Sequence, residues 1–292
     1  MTMTTTPGVR ILVINPNTST HMTEALRPVL EDLRMPSVHY TFFTSPTPGI
    51  PSINSPEDAA ESAKICLPSL IPLLPHHDAF LVACYSQHPL VTQLKKECKN
   101  LGRAATSGSE GRGAHKYVTG IFEASVLSSL AVIDDAEEDG FGIVSTGKVW
   151  EEALQSAVER FLGEAGSNSS KKSRFYGCET TGLNASELHD LPAEEVRGKM
   201  MEATKRVLRR GQFQHAGEET TSTTGSGSGS GSGSRSRVKA VCLGCAGMVG
   251  LEDAVRQACV EELGLEAGKE VCIVDGVKAG VALLCSLART GF

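Results

Sequence analysis

Short apolar runs alternate along most of this chain with segments whose apolar residues recur every three or four positions. "VRILVIN" (9–15) predicts a buried strand, and "TSTHMTEALRPVLEDL" (18–33) predicts the helix behind it, with Thr18 as N-cap. "VHYTFF" (38–43) alternates as a strand does. "SPEDAAESAKICLPSLIPLL" (55–74) opens on Ser55, Pro56, Glu57 and Asp58, a helix start, while Pro68 and Pro72 predict a kink or an early end. "AFLVACYS" (79–86) reads as a third strand and "PLVTQLKKECKN" (89–100) as its helix. Strands are expected again at 140–146, 238–244 and 270–274, and helices at 147–163, 191–210, 248–264 and 276–288. This alternation predicts an α/β fold with mostly parallel strands.

Two layouts occur twice. "AFLVACYSQHPLVTQLKKEC" and "KAVCLGCAGMVGLEDAVRQAC" each run from an apolar strand through a cysteine at its C-terminal end into a helix that ends in another cysteine. "ILVINPNTSTHMTEAL" and "FGIVSTGKVWEEAL" correspond in the same way. Two similar flavodoxin-like halves are therefore expected, each a mostly parallel sheet flanked by helices and related by pseudo-two-fold symmetry. The first half is placed at 1–116, joined by 265–292, and the second at 117–264. "SGSEGRGAHK" (107–116) reads as a polar linker. The low-complexity run at 217–237 reads as a disordered Gly/Ser-rich insertion between a helix and a strand.

Composition narrows the function. With 292 residues, 40% apolar and 21% charged, a sizeable core is expected. A net charge of −6 argues against nucleic acid as the partner, because phosphate binding needs clustered Lys and Arg. There is no secretory h-region and no run near the ~18 apolar residues of a membrane span, so a cytoplasmic protein with no membrane partner is expected. Nine cysteines, an odd number, do not suggest a disulfide framework.

In open parallel sheets, ligands sit beyond the carboxyl ends of the strands. Here those ends hold Asn15–Thr18, Cys84–His88, Ser145–Gly147 and Cys245–Gly247. Most of the cysteines fit core packing. Cys84 and Cys245 fit it less well: each stands at a strand end ahead of a predicted helix, where the dipole would lower a thiol's pKa. Cys242 and Cys245 form C-x-x-C, but no second pair completes a zinc site, and Cys242 lies inside the strand rather than at a helix start. A Cys84–His88 nucleophilic pair remains open. So does an anion site at "INPNTS" (14–19) or "STG" (145–147), against ordinary N-capping.

"ILVINPNTS", "LVACYS", "GIFEAS" (120–125), "FGIVST" and "LGCAGM" (243–248) before "VDGVKAGV" (274–281) occur in this order across nearly the whole chain. The sequence resembles the aspartate/glutamate/hydantoin racemase superfamily, and within it the hydantoin and allantoin racemase branch, including fungal members. The resemblance implies two cysteines flanking the substrate, one from each half, at Cys84 and Cys245. It also implies a cofactor-independent and metal-free proton transfer. The small-molecule partner would be a cyclic ureide, allantoin or a 5-substituted hydantoin, placing the protein in purine nitrogen catabolism. Asn15, Ser86 and Thr146 are the expected substrate contacts, the backbone of Ala246 and Gly247 the oxyanion site, and Gly120 and Ile121 part of the lining. A homo-oligomer is compatible with this reading. Bacterial members often carry an acidic residue and a proline soon after the first cysteine, whereas "CYSQHP" here has Gln87 and His88; this bears on the substrate rather than on the reaction type. A Cys-dependent decarboxylase or isomerase on the same scaffold would need one essential thiol rather than two, and a non-catalytic ligand-binding relative would need none.

The 217–237 run has almost no apolar anchor to offset its ordering entropy. Replacing 220–235 by a short Gly/Ser closure is expected to leave the melting temperature nearly unchanged in a thermal scan.

Overall fold

The computed structural model describes residues 8–106, 115–134, 139–164, 173–213 and 236–291. The expected linker lies outside them except for His115 and Lys116, and the Gly/Ser insertion except for Ser236 and Arg237. The chain divides into two units. The first comprises the described residues up to Ser125, the short segment Cys245–Val249 and the residues from Asp275 on; the second comprises Val126–Gly244 and Gly250–Val274.

In the first unit, β1 (Val9–Asn15) is followed by α1 (Thr20–Asp32), β2 (Val38–Thr44), α2 (Pro56–Leu70), β3 (Ala79–Val82), α3 (Pro89–Thr106) and β4 (Tyr117–Gly120). All pairings are parallel, in the order β2-β1-β3-β4. Ile14 stands beside Val82, and Val82 beside Gly120. β4 runs directly into α4 (Ile121–Val132). The central strands are the core, with Ile11, Val13, Phe80 and Leu81 removed from solvent. Below them Arg10 clasps Asp78, Nη2 to Oδ1 at 2.7 Å, and holds that carboxyl below its usual range. Being half-exposed, the pair is worth less than about 1 kcal/mol.

In the second unit, β5 (Gly140–Ser145), α5 (Val149–Leu162), β6 (Phe175–Thr180), α6 (Glu187–Asp190), α7 (Ala193–Phe213), β7 (Val238–Gly244), α8 (Glu252–Leu263), α9 (Leu265–Glu270) and β8 (Cys272–Asp275) follow. The sheet order is β6-β5-β7-β8. Adding four to each strand number of the first sheet generates the second, so the two sheets repeat one topology. The strands expected to correspond do so: β1 with β5, and β3 with β7. α10 (Gly276–Thr290) then belongs to the first unit, packed on β1, β3 and β4. Asp275 caps it, its Oδ1 accepting the N–H groups of Val277 at 2.7 Å and Lys278 at 3.2 Å.

Several local expectations need correction. Thr18 is not the N-cap of α1. Its N–H donates to the Ile50 carbonyl at 2.9 Å, and the Ser19 hydroxyl accepts from the Met22 N–H instead. The early end expected of α2 is found: it passes through Pro68 and stops at Leu70, before Pro72, where a 3-10 helix (Ile71–His76) takes over. Tyr117–Gly120, placed with the second half, is a strand of the first sheet, and Cys272–Asp275, placed with the first half, is a strand of the second. No helix among the described residues is long and apolar enough to cross a membrane.

α10 reaches the sheet because position 280 lacks a side chain: a Cβ on Gly280 would meet Leu81 Cδ1 at 2.4 Å. Gly280→Val should therefore cost about 1–3 kcal/mol by overpacking, read as a lower urea midpoint at unchanged slope.

Candidate active site

The site is built from loops at the carboxyl ends of the first sheet and from the turn Cys245–Val249 of the same unit. After β1, the side chain of Asn15 is committed to its own loop. Its Nδ2 donates to Asn17 Oδ1 (2.9 Å), to the Ser19 carbonyl (3.0 Å) and to Thr23 Oγ1 (3.0 Å), and its Oδ1 accepts the Asn17 N–H (3.2 Å). Asn15 thus fixes the shape of the β1–α1 loop.

β3 ends at Val82, earlier than expected, and Ala83–His88 form a chain of tight turns. The Ser86 N–H donates to the Cys84 carbonyl at 3.0 Å and the His88 N–H to the Ser86 carbonyl at 2.8 Å. These turns place the Ser86 hydroxyl 3.6 Å from Cys84 Sγ. His88 does not pair with the thiol. Its Nδ1 accepts the Leu90 N–H at 3.3 Å, and its ring is 2% exposed. Burial pushes its pKa down to about 4, so the ring is neutral, and the Nε2 position has no hydrogen-bond partner. A Cys84–His88 nucleophilic pair is not formed.

Cys245 follows β7. Its backbone is extended, and a single 3-10 turn, Ala246–Met248, comes next. α8 begins only at Glu252, so the expected helix from 248 does not cap the sulfur. Instead the Gly247 N–H donates to Cys245 Sγ at 3.3 Å, while the Met248 N–H donates to the Cys245 carbonyl at 3.1 Å. The Gly247 N–H, an expected oxyanion donor, is thus directed at the cysteine's own sulfur. The turn Cys245–Val249 belongs to the first unit and packs against α1, although the strand that delivers it belongs to the second.

Cys84 and Cys245 are both half-buried and both free of disulfide bonds. They lie close enough for charge on Cys245 to disfavour charge on Cys84. The expectation of lowered thiol pKa values is overturned. Desolvation dominates and pushes Cys84 up to about 12 and Cys245 up to about 11. Ser86 partly offsets this at Cys84, and the Gly247 N–H does so at Cys245.

A residue not singled out from the sequence also stands here. Glu123, in the first turn of α4, is half-buried. Burial raises its pKa, and its charge raises that of Cys84. The signal was available: Glu123 is the one charged residue in the apolar stretch 117–133. Gly120 and Ile121 sit just before it, both buried. Thr146 belongs to the second unit, where it is buried beyond β5 with its carbonyl accepting the Gly182 N–H at 3.0 Å. Among the described residues, no three His, Cys, Asp or Glu side chains gather as a metal would require. Cys242, the other half of C-x-x-C, is buried within β7, 3.0 Å from the Ser129 hydroxyl.

Residues 11–214 match the family model described as Asp/Glu/Hydantoin racemase. The chain belongs to that family. An uncharacterized protein of Schizosaccharomyces pombe is 31% identical over 281 residues, which cover 96% of this chain and 92% of that protein. Protein DCG1 of Saccharomyces cerevisiae is 31% identical over 188 residues, 62% of this chain and 69% of DCG1. Among solved structures, allantoin racemase from Klebsiella pneumoniae superposes with a TM-score of 0.65 at 20% identity, covering 98% of this chain and 89% of that one. Allantoin racemase from Pseudomonas fluorescens does so with a TM-score of 0.62 at 21% identity, covering 97% and 92%. These racemases share the fold of this chain.

The neutral, buried His88 ties stability to pH. Its folded pKa lies below the ~6.5 of a free imidazole, so its contribution is whole above pH ~6.5 and is lost as pH falls toward 4. The gap corresponds to roughly 3 kcal/mol. Urea midpoints taken from pH 7 down to 4 should fall more steeply for wild type than for His88→Asn, which keeps an acceptor for the Leu90 N–H but cannot take up a proton.

Proposed function

We propose that the protein is a cofactor-independent racemase of a five-membered cyclic ureide, allantoin or a 5-substituted hydantoin, with Cys84 and Cys245 moving the C5 proton. One observation carries the reading: two free, half-buried thiols at the ends of the topologically equivalent strands β3 and β7, near enough to feel each other's charge. The family and the allantoin racemases that share the fold support the substrate class.

The hydrogen on C5 of such a ring is acidified by the adjacent carbonyl. A thiolate on one face takes that proton and leaves a planar enolate. The thiol on the other face delivers a proton to C5 and becomes the thiolate, so the centre is inverted and the proton count is unchanged. The roles exchange for the other enantiomer. A sulfur that holds its proton as tightly as these two is a strong base once the proton has left. The hydroxyl of Ser86 and the backbone at Ala246 are the proposed polar contacts. Gly120 and Ile121 line the pocket in this reading, and Asn15 acts by shaping its loop.

The test follows optical rotation and compound concentration together. Rotation of a single enantiomer of allantoin or of a 5-substituted hydantoin should decay to zero while the compound persists. Cys84→Ser and Cys245→Ser should each lower this rate by at least about 100-fold. In D₂O the two variants should exchange the C5 hydrogen of opposite enantiomers without inversion, after subtraction of the spontaneous rate. Near wild-type racemisation by either variant, or exchange of the same enantiomer by both, would exclude the two-thiol mechanism.

A further inference from the structure

The two sulfurs sit in unlike surroundings. The main-chain N–H of Gly247 points at Cys245 Sγ from 3.3 Å, and a backbone donor cannot turn away. The hydrogen-bond partner of Cys84 is the Ser86 hydroxyl at 3.6 Å, a group that serves a thiol as readily as a thiolate because it can donate or accept.

The register of two strands adds an acid beside Cys84. Val82 on β3 and Gly120 on β4 are direct neighbours. Cys84 lies two residues beyond the first and Glu123 three beyond the second. The Glu123 carboxyl folds back over Gly120, so that a Cβ at position 120 would meet Glu123 Oε2 at 2.4 Å. That oxygen is buried and has no hydrogen-bond partner. The cation whose charge reaches Glu123 is Lys95 on α3, itself exposed to solvent. His88, beyond the turn that holds Cys84, is neutral.

We propose that the two thiols ionise in a fixed order, Cys245 first and Cys84 last, and that Glu123 is the positioning residue that enforces it. The inference rests on reading Cys84 and Cys245 as the acid–base pair. A carboxylate at Glu123 opposes a second negative charge on Cys84, while the Gly247 N–H welcomes one on Cys245. The free protein then starts each cycle with Cys245 as base and Cys84 as acid. The enantiomer whose C5–H faces Cys245 meets the protein ready for it; the other must wait for the proton to move between the sulfurs.

The order is read without any substrate. Full-length protein is treated with iodoacetamide from pH 7 to 10.5, and the alkylation of each cysteine is followed by peptide mass mapping. The rate at Cys245 should begin its rise at lower pH than the rate at Cys84. At pH 9.5, Glu123→Gln should speed Cys84 by about three- to tenfold and leave Cys245 within about twofold. Gly120→Ala, whose Cβ displaces the carboxyl without removing it, should act in the same direction and serves if Glu123→Gln does not fold. An earlier rise at Cys84, no change at Cys84 in the variants, or an equal gain at both thiols would overturn the inference. A chain with ordered thiols that racemises nothing would overturn the functional reading instead. A working racemase with unordered thiols would overturn only the order.

Discussion

Parallel strand pairing is the constraint on which everything else here depends. A parallel neighbour can be reached only by carrying the chain back over a face of the sheet, so every strand of a sheet ends on the same edge. In the order β2-β1-β3-β4 the chain leaves β1 toward one side and later returns to the other, and loops that begin at adjacent strand ends part company there. Asn15 and the Cys84 turn occupy that edge. The second sheet repeats the order, and a second cysteine follows the equivalent strand, β7.

Burial explains the energetics of the sulfurs. A thiol can be hidden from water at little cost, whereas a thiolate cannot. Hydrogen bonds at 3.3–3.6 Å offset only part of that penalty, so both groups keep their protons tightly. Helix dipoles do not intervene, because α3 and α8 begin five and seven residues after the cysteines, at Pro89 and Glu252. Reactivity at this site is therefore a matter of how each sulfur is solvated by the protein, one donor at a time.

Much of the fold could be read from the chain because most strands are apolar runs bounded by helix starts. β4 and β6 were the exceptions. β4 has four residues and passes into α4 with no intervening turn, so no boundary is visible. α4 is apolar around most of its circumference and lacks the period that identifies an exposed helix. β6 contains Gly177 at φ +105°, where the Arg210 guanidinium lies over the backbone, and its polar residues hide the strand pattern. The two cysteines stood out because the strand-to-cysteine layout occurs twice. Their pKa direction did not, since it depends on burial by residues distant in sequence. Glu123 is marked in the chain only as a lone charge in an apolar stretch; its nearness to Cys84 is hidden there, because it comes from the pairing of Val82 with Gly120 across 38 positions.

The placement of α10 has a consequence for how the chain is made. β1, β3 and β4 are among the earlier elements to leave the ribosome, yet the helix that covers them comes after the whole second unit. At about 5–20 residues per second, that leaves an apolar sheet face without its cover for roughly ten to thirty seconds of synthesis. The second unit is complete sooner, since β8 precedes α10. Translation speed between Ile121 and Gly276 therefore sets how long the nascent first unit needs protection from its neighbours. A chaperone that holds apolar surface would act on the part synthesised first.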